Sequence, residues 1–108
     1  YRLTVEIPMR TVDLGDAIRI TGTFSIRSSG VATDPTTIVF KVRNPAAVVT
    51  TYTYDAEELD GVLRSGEGIY YLDYTPATAG LYVVRIYGTG TVIESQETWF
   101  SVKSNTIT

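Results

Sequence analysis

Short stretches in which apolar and polar residues alternate recur along the whole chain, with turn residues between them. In residues 2–7, for example, Leu3, Val5 and Ile7 alternate with polar residues until Pro8. This alternation is typical of half-buried β-strands, because successive side chains of a strand point to opposite faces of the sheet. The strands recur about every 8–12 residues, and no stretch shows sustained helical spacing. The pattern predicts an all-β fold, an antiparallel sandwich of roughly seven to eight strands.

The alternation also predicts which side chains fill the space between the two sheets. The predicted inner set consists of Ile20, Phe24, Phe40, Leu72, Tyr82, Val84, Phe100 and Val102. A chain of 108 residues has the usual size of one domain. We therefore predict a single domain over residues 1–103 and a flexible tail or linker over residues 104–108.

The amino-acid composition argues against most kinds of catalytic and metal site. The chain has no Cys and no His, so disulfides, thiolate catalysis, Cys-based zinc sites and the commonest general base are all lacking. We predict a protein that is not an enzyme and binds no cofactor. The net charge of −3 and the scattered Lys and Arg predict no nucleic-acid partner, and the lack of a long apolar run predicts no membrane insertion. A start at Tyr1 instead of Met predicts a processed or longer parent chain.

Carboxylates are the remaining candidates for a chemical site. The acidic run over residues 55–60 is short, and a run of this length predicts a solvated loop and not a metal site. Asp13 with Asp16, and Glu94 with Glu97, could in principle form a glycosidase pair or bind calcium, but no supporting ligand series accompanies either pair. These residues therefore predict no catalytic or metal site.

One stretch, residues 78–84, carries a more specific signal. Gly80 precedes Tyr82 by two residues, and Val84 continues the alternation. This arrangement resembles the tyrosine corner of immunoglobulin-like domains. The resemblance implies that the Tyr82 hydroxyl bonds to backbone upstream. Because Val84 stands where antibody domains have a Cys, apolar packing must replace their disulfide between the sheets.

Two family resemblances extend beyond this corner. The pattern Gly68-x-Tyr70-x-Leu72-x-Tyr74-x-Pro76-x-x-x-Gly80-x-Tyr82-x-Val84-x-Ile86 is similar to filamin-type immunoglobulin-like repeats. Over nearly its full length the chain also resembles small immunoglobulin-like proteins of tailed-bacteriophage virions, and residues 15–24, 34–45 and 68–73 carry that likeness.

The phage resemblance implies a non-enzymatic virion structural or accessory module, such as a capsid decoration or cement protein, or a neck or fibre component. Its partners would be other virion structural proteins in the phage particle, and homo-oligomers remain open. The alternative is an extracellular or cell-surface adhesin, or a carbohydrate-binding module, whose exposed aromatics stack on sugars.

The predicted contact surface is the outward face of the last two long strands and their neighbour. A turn at Gly88-Thr89-Gly90 would pair Tyr87 with Thr91 and Arg85 with Ile93, which places Trp99 outward. A bulge between Glu94 and Thr98 would instead turn Trp99 inward and Phe100 outward. The predicted partner-binding residues are Trp99, Tyr87, Arg85, Ile93, Val83, Val39 and Lys41, with Arg43 beside them.

Overall fold

The computed structural model describes residues 1–90 and 92–104, which form nine strands and no helix. The strands are β1 (Arg2–Glu6), β2 (Thr11–Asp13), β3 (Ile18–Ser25), β4 (Thr37–Arg43), β5 (Val49–Thr53), β6 (Val62–Gly66), β7 (Ile69–Tyr74), β8 (Gly80–Thr89) and β9 (Glu94–Lys103). One sheet has the order β1-β3-β7-β6 and the other β2-β9-β8-β4-β5. The predicted all-β sandwich is therefore confirmed, with nine strands in the described residues where seven to eight were expected.

The core between the two sheets contains every residue of the predicted inner set. Aromatic side chains fill much of it, because Tyr82 stacks on Phe100 with ring centroids 5.1 Å apart and Phe24 packs edge-on against Tyr70. Gly22 lies on the inner face, where an added Cβ would be 3.3 Å from Ile86 of the opposite sheet. The glycine thus permits a close approach of the two sheets.

The tyrosine corner is present. The Tyr82 hydroxyl donates to the Thr78 carbonyl at 2.7 Å and accepts from the Thr78 N–H at 3.3 Å. These bonds hold the segment before β8 against the beginning of that strand. Val84 is fully buried, as expected of a residue that replaces a disulfide by apolar packing.

The first strand of the sandwich is divided between the two sheets, which the alternation did not predict. β1 pairs antiparallel with β3, and β2 then pairs parallel with residues 101–103 of β9. Pro8 lies between them, and proline has no N–H to continue a ladder. The three-residue strand β2 is too short to be recognised from alternation alone.

The connection between β8 and β9 is longer than predicted. Tyr87 pairs with Ser95 and Arg85 with Glu97, so the predicted pairing of Arg85 with Ile93 is wrong by four residues. Thr91, the predicted partner of Tyr87, lies outside the described residues. Gly88 and Thr89 belong to β8 and not to a turn. The connection that follows contains Val92, whose side chain is buried in the core.

The predicted tail at residues 104–108 falls mostly on residues 105–108, which lie outside the described part of the chain. Within residues 1–90 and 92–104 there is no helix that could cross a membrane.

Candidate protein-binding face

The outer face of the five-stranded sheet gathers most of the predicted contact residues. The register error of four residues is even, so it leaves the facing of every side chain unchanged. Trp99 therefore points outward and Phe100 inward, which excludes the bulged alternative. Two adjacent rows of this face cross β4, β8 and β9: Arg43-Val83-Trp99 and Lys41-Arg85-Glu97.

An apolar depression of about 410 Å³ lies at one end of this face. Its apolar walls are Leu81, Val83 and Trp99. Trp99 is 47% exposed and Leu81 is 54% exposed, which are large fractions for such apolar side chains. We call this depression, lined by Leu81, Val83, Glu97, Thr98 and Trp99, the socket. Leu81 was not among the predicted contact residues.

Arg10 holds Trp99 from the side of the sheet edge. Its guanidinium lies over the indole ring, 5.2 Å from the ring centroid, and donates to the Trp99 carbonyl at 2.7 Å. Its backbone carbonyl also accepts from Ser101 N–H. These contacts restrict the orientation of the indole before any partner arrives. Arg10 precedes Trp99 by 89 residues, so no local sequence signal connects the two.

Basic side chains surround the socket and extend along the face. Arg85 donates to Ser95 Oγ at 2.9 Å, and Lys41 Nζ lies 5.7 Å from the centre of the Tyr87 ring. Arg43 is exposed in the row that contains Trp99. Two acidic residues also lie here: Glu97, opposite Arg85 in the ladder, lines the socket, and Glu94 lines the other end of the face. The face is thus apolar at one end and basic along its middle.

A second, more polar depression of about 510 Å³ lies at the opposite end of the face. Tyr87, Lys41 and Arg85 line it together with Ile93. Ile93 is 77% exposed, but it lies in the β8–β9 connection and not in strand β9 as predicted. It borders the face at the end away from the socket.

Val39 corrects the predicted surface. It points to the outer face as expected, yet it is only 7% exposed. Its position in β4, between Thr53 of β5 and Tyr87 of β8, accounts for this burial. Val39 is therefore covered by its neighbours on the outer face and offers little area to a partner.

The structure pairs one of these carboxylates with a lysine and separates two others. Asp13 pairs with Lys103 at 3.3 Å, and Glu94 and Glu97 stand three residues apart in one strand and so point to opposite faces. Residues 55–60 are all exposed, as predicted for a solvated loop. Across residues 1–90 and 92–104, no three His, Cys, Asp or Glu side chains are placed to hold a metal ion.

Asp34 organises a polar cluster with partners in the β6–β7 hairpin. Its Oδ1 accepts from Gly68 N–H and from the Tyr70 hydroxyl, both at 2.7 Å, and its Oδ2 pairs with Arg64 at 2.8 Å. Burial opposes ionisation of Asp34, but these bonds outweigh it and lower its pKa. Burial and the bond to Asp34 raise the pKa of Tyr70 to about 12. The cluster fixes the β6–β7 turn against the loop before β4.

Comparisons with known proteins identify the fold. No family model matches the chain, and neither does any curated protein sequence. The crystal structure of the Lin-41 filamin domain matches with a TM-score of 0.68 and 17% identity, over 94% of this chain and 91% of that one. A candidate glycoside hydrolase from Bacteroides vulgatus matches with a TM-score of 0.58 and 15% identity, over 92% of this chain but only 17% of that one.

The two sheets and the filamin neighbour together define an immunoglobulin-like β-sandwich. At these identities the likeness establishes the fold and carries no function across.

Proposed function

We propose that this chain is a non-enzymatic structural or accessory module of a bacteriophage virion. It acts through protein–protein contacts made by the outer face of the five-stranded sheet. The setting comes from the resemblance of residues 15–24, 34–45 and 68–73 to phage immunoglobulin-like proteins. Its site of action would be the phage particle, as a capsid decoration or cement protein or as a neck or fibre component.

The observation that carries the proposal is the oriented, half-exposed Trp99 in an apolar depression with a basic surround. Interfaces are enriched in Trp, Tyr and Arg, and their energy is concentrated in a few anchors near the centre. Trp99 has Leu81 and Val83 beside it and Arg10 behind it. A side chain already held in place loses little entropy when a partner covers it.

The composition supports a binding role over a catalytic one. Without His or Cys, the chain lacks the residues most often used as general base and as thiolate nucleophile. The strongest carboxylate cluster, around Asp34, is occupied by bonds to Gly68, Tyr70 and Arg64. These bonds account for the lowered pKa of Asp34 without any catalytic role.

A carbohydrate-binding role is supported less well. Sugar stacking usually needs two or three aromatics in one groove. Trp99 lies opposite Val83 of β8, and Tyr87 is four residues further along that strand, about 13 Å away at 3.3 Å per residue. The charged row Lys41-Arg85-Glu97 lies between them. A saturable hit on a glycan array that disappears in Trp99→Ala would favour the adhesin alternative.

The proposal predicts that Trp99→Ala lowers occupancy on purified virions of the parent phage. We expect a loss of about 2 kcal/mol or more of binding free energy, as for a central anchor. Occupancy would be measured by quantitative mass spectrometry of particles after incubation with a labelled copy of the chain.

Tyr71→Ala is the matched control. Tyr71 lies on the other sheet and, like Trp99, packs against an arginine, since the Arg19 guanidinium lies 4.1 Å from its ring centroid. Denaturant melts would show that both variants are folded. Full occupancy of Trp99→Ala, or an equal loss for Tyr71→Ala, would remove the outer face from the proposed function.

A further inference from the structure

The loop between β5 and β6 presents an uncovered leucine among acidic residues. Leu59 is 79% exposed, the largest exposure of any large apolar side chain in the described residues. Glu57, Glu58 and Asp60 flank it, and Asp55 precedes them. An apolar side chain at this exposure contributes little to the stability of the folded monomer, whereas a partner surface could bury it.

The loop is held in one conformation by its own carboxylates. Asp55 Oδ1 accepts from Glu57 N–H at 2.9 Å, and Asp60 Oδ2 accepts from Thr53 N–H at 2.7 Å. Glu58 reaches forward to the backbone N–H of Arg64 at 3.0 Å. Glu58 also adopts a φ of 56°, which is uncommon for a residue other than glycine. The bonds hold this backbone and leave Leu59 pointing to solvent.

The socket has the complementary character. Leu81, Val83 and Trp99 form its apolar part, Glu97 and Thr98 complete its lining, and it is larger than a leucine side chain. Arg10 borders it at Trp99, and Arg85 borders Val83 in the shallow depression next to it. A leucine among carboxylates therefore matches an apolar hollow that Arg10 and Arg85 border, and these two guanidinium groups outnumber the one carboxylate, Glu97, in its lining.

The distribution of charge in the whole chain strengthens this match. Four of the twelve acidic residues, Asp55, Glu57, Glu58 and Asp60, fall within this one loop. Four of the nine basic residues, Arg10, Lys41, Arg43 and Arg85, lie on or beside the outer face. One molecule thus carries an acidic region and a basic region in different places, an arrangement that attracts copies to one another.

We propose that the socket binds the 55–60 loop of a second copy of this chain, with Leu59 in the apolar depression. The inference rests on the proposed function, since it names the partner of the same face. The proposed contact is heterologous, with the loop of one copy in the socket of the next, and it leaves one free loop and one free socket at the ends of each pair. Such contacts build rings or rows of copies.

Sedimentation equilibrium of the intact chain and three variants tests this contact. Leu59→Ser removes the loop's apolar side chain, and Trp99→Ala opens the socket. Val31→Ser is the matched control, because Val31 is another loop residue with a largely exposed side chain, 57% exposed. We expect wild type and Val31→Ser to associate equally, and each of the other variants to associate at least tenfold more weakly.

An equimolar mixture of the two defective variants makes the test specific. Leu59→Ser retains a socket, and Trp99→Ala retains a loop, so the mixture should form a one-to-one complex that grows no further. Raising the ionic strength from about 0.1 M to about 1 M shortens the Debye length from about 10 Å to about 3 Å, and the association should weaken at least tenfold.

Three outcomes would overturn the inference: a wild-type chain that stays monomeric at all accessible concentrations, an equal effect of Val31→Ser, or a mixture that does not associate. A different result would contradict the proposed function, namely full occupancy of Trp99→Ala on virions. If Leu59→Ser binds particles fully and Trp99→Ala does not, the face still binds a virion protein, but not this loop.

Discussion

At the scale of single residues, the Tyr82 hydroxyl is the contact whose removal is most specific. It donates to the Thr78 carbonyl and accepts from the Thr78 N–H, while its ring stacks on Phe100. Tyr82→Phe keeps the ring and removes the hydrogen bonds. We expect a loss of about 1 kcal/mol in the free energy of unfolding, measured by chemical denaturation.

Phe40 provides the contrasting case of pure packing. It is fully buried in the centre of β4, and its neighbours in the ladder are Ile86 and Tyr52. Phe40→Ala leaves a cavity that the surrounding sheets can only partly fill. We expect a loss of about 3–5 kcal/mol in the same melts. Equal, negligible losses for Phe40→Ala and Tyr82→Phe would contradict the assignment of the core.

At the scale of elements, the β6–β7 turn depends on a glycine that no other residue can replace. Gly68 has a φ of +75°, and an added Cβ would lie 2.5 Å from the Phe24 carbonyl oxygen, which is backbone and cannot move aside. Gly66, two residues earlier, has nothing within 4 Å of an added Cβ. We expect Gly68→Ala to cost more than about 2 kcal/mol and Gly66→Ala to change stability by less than about 1 kcal/mol.

Thermal melts of the two glycine variants compare the same chemical change at neighbouring positions. Gly68 N–H also donates to Asp34, and the Gly68 carbonyl accepts from Phe24 N–H. Displacing Gly68 would therefore weaken both bonds together with the Asp34 cluster. Similar melting temperatures for the two variants would show that the turn can relax around a side chain.

Most strands could be predicted because one face of each is buried and the other is wet. β3 and β7 alternate buried residues with less buried ones, as half-buried strands do. β2 could not be predicted, since three residues carry no period. The β8–β9 register was missed because Gly88 and Gly90 suggested a tight turn, whereas the burial of Val92 lengthens the connection.

The contact face could be predicted in outline only. Alternation placed Trp99, Arg85 and Val83 outward, and the even register error preserved that result. Contacts between distant segments left no sequence signal, which is why Arg10 behind Trp99 was missed. The exposure of Leu59 was also unforeseen, because residues 55–60 indicated only a solvated loop.

At the scale of the whole molecule, hydrogen-bonded carboxylates set the acid limit of stability. Arg19 holds the pKa of Asp73 below its usual value by a hydrogen bond, and the bonds to Asp34 lower the pKa of that carboxyl despite burial. A lowered folded-state pKa stabilises the protein above the unfolded pKa of about 3.9, and this stabilisation is lost as the pH falls through the folded value. We expect the free energy of unfolding to decline below about pH 5.

Tyrosines with raised pKa values limit the stability of the protein at alkaline pH. The pKa of Tyr70 is raised to about 12, and burial also raises those of Tyr52 and Tyr74. A raised pKa means that the neutral phenol is favoured in the folded state, so its stabilisation is complete below the unfolded pKa of about 10. That stabilisation is lost as the pH rises toward 12. We expect stability to fall above about pH 10.

Two variants separate these limits in denaturant melts run across the pH range. Asp34→Asn should flatten the acid decline, because the amide does not titrate, although its loss of charge lowers stability at neutral pH. Tyr70→Phe should flatten the alkaline decline, leaving the smaller contributions of Tyr52 and Tyr74. A wild-type stability that is unchanged between about pH 10 and 12 would contradict the burial of these phenols. An acid decline that is equally steep in Asp34→Asn would assign that limit to other carboxylates, first of all to Asp73.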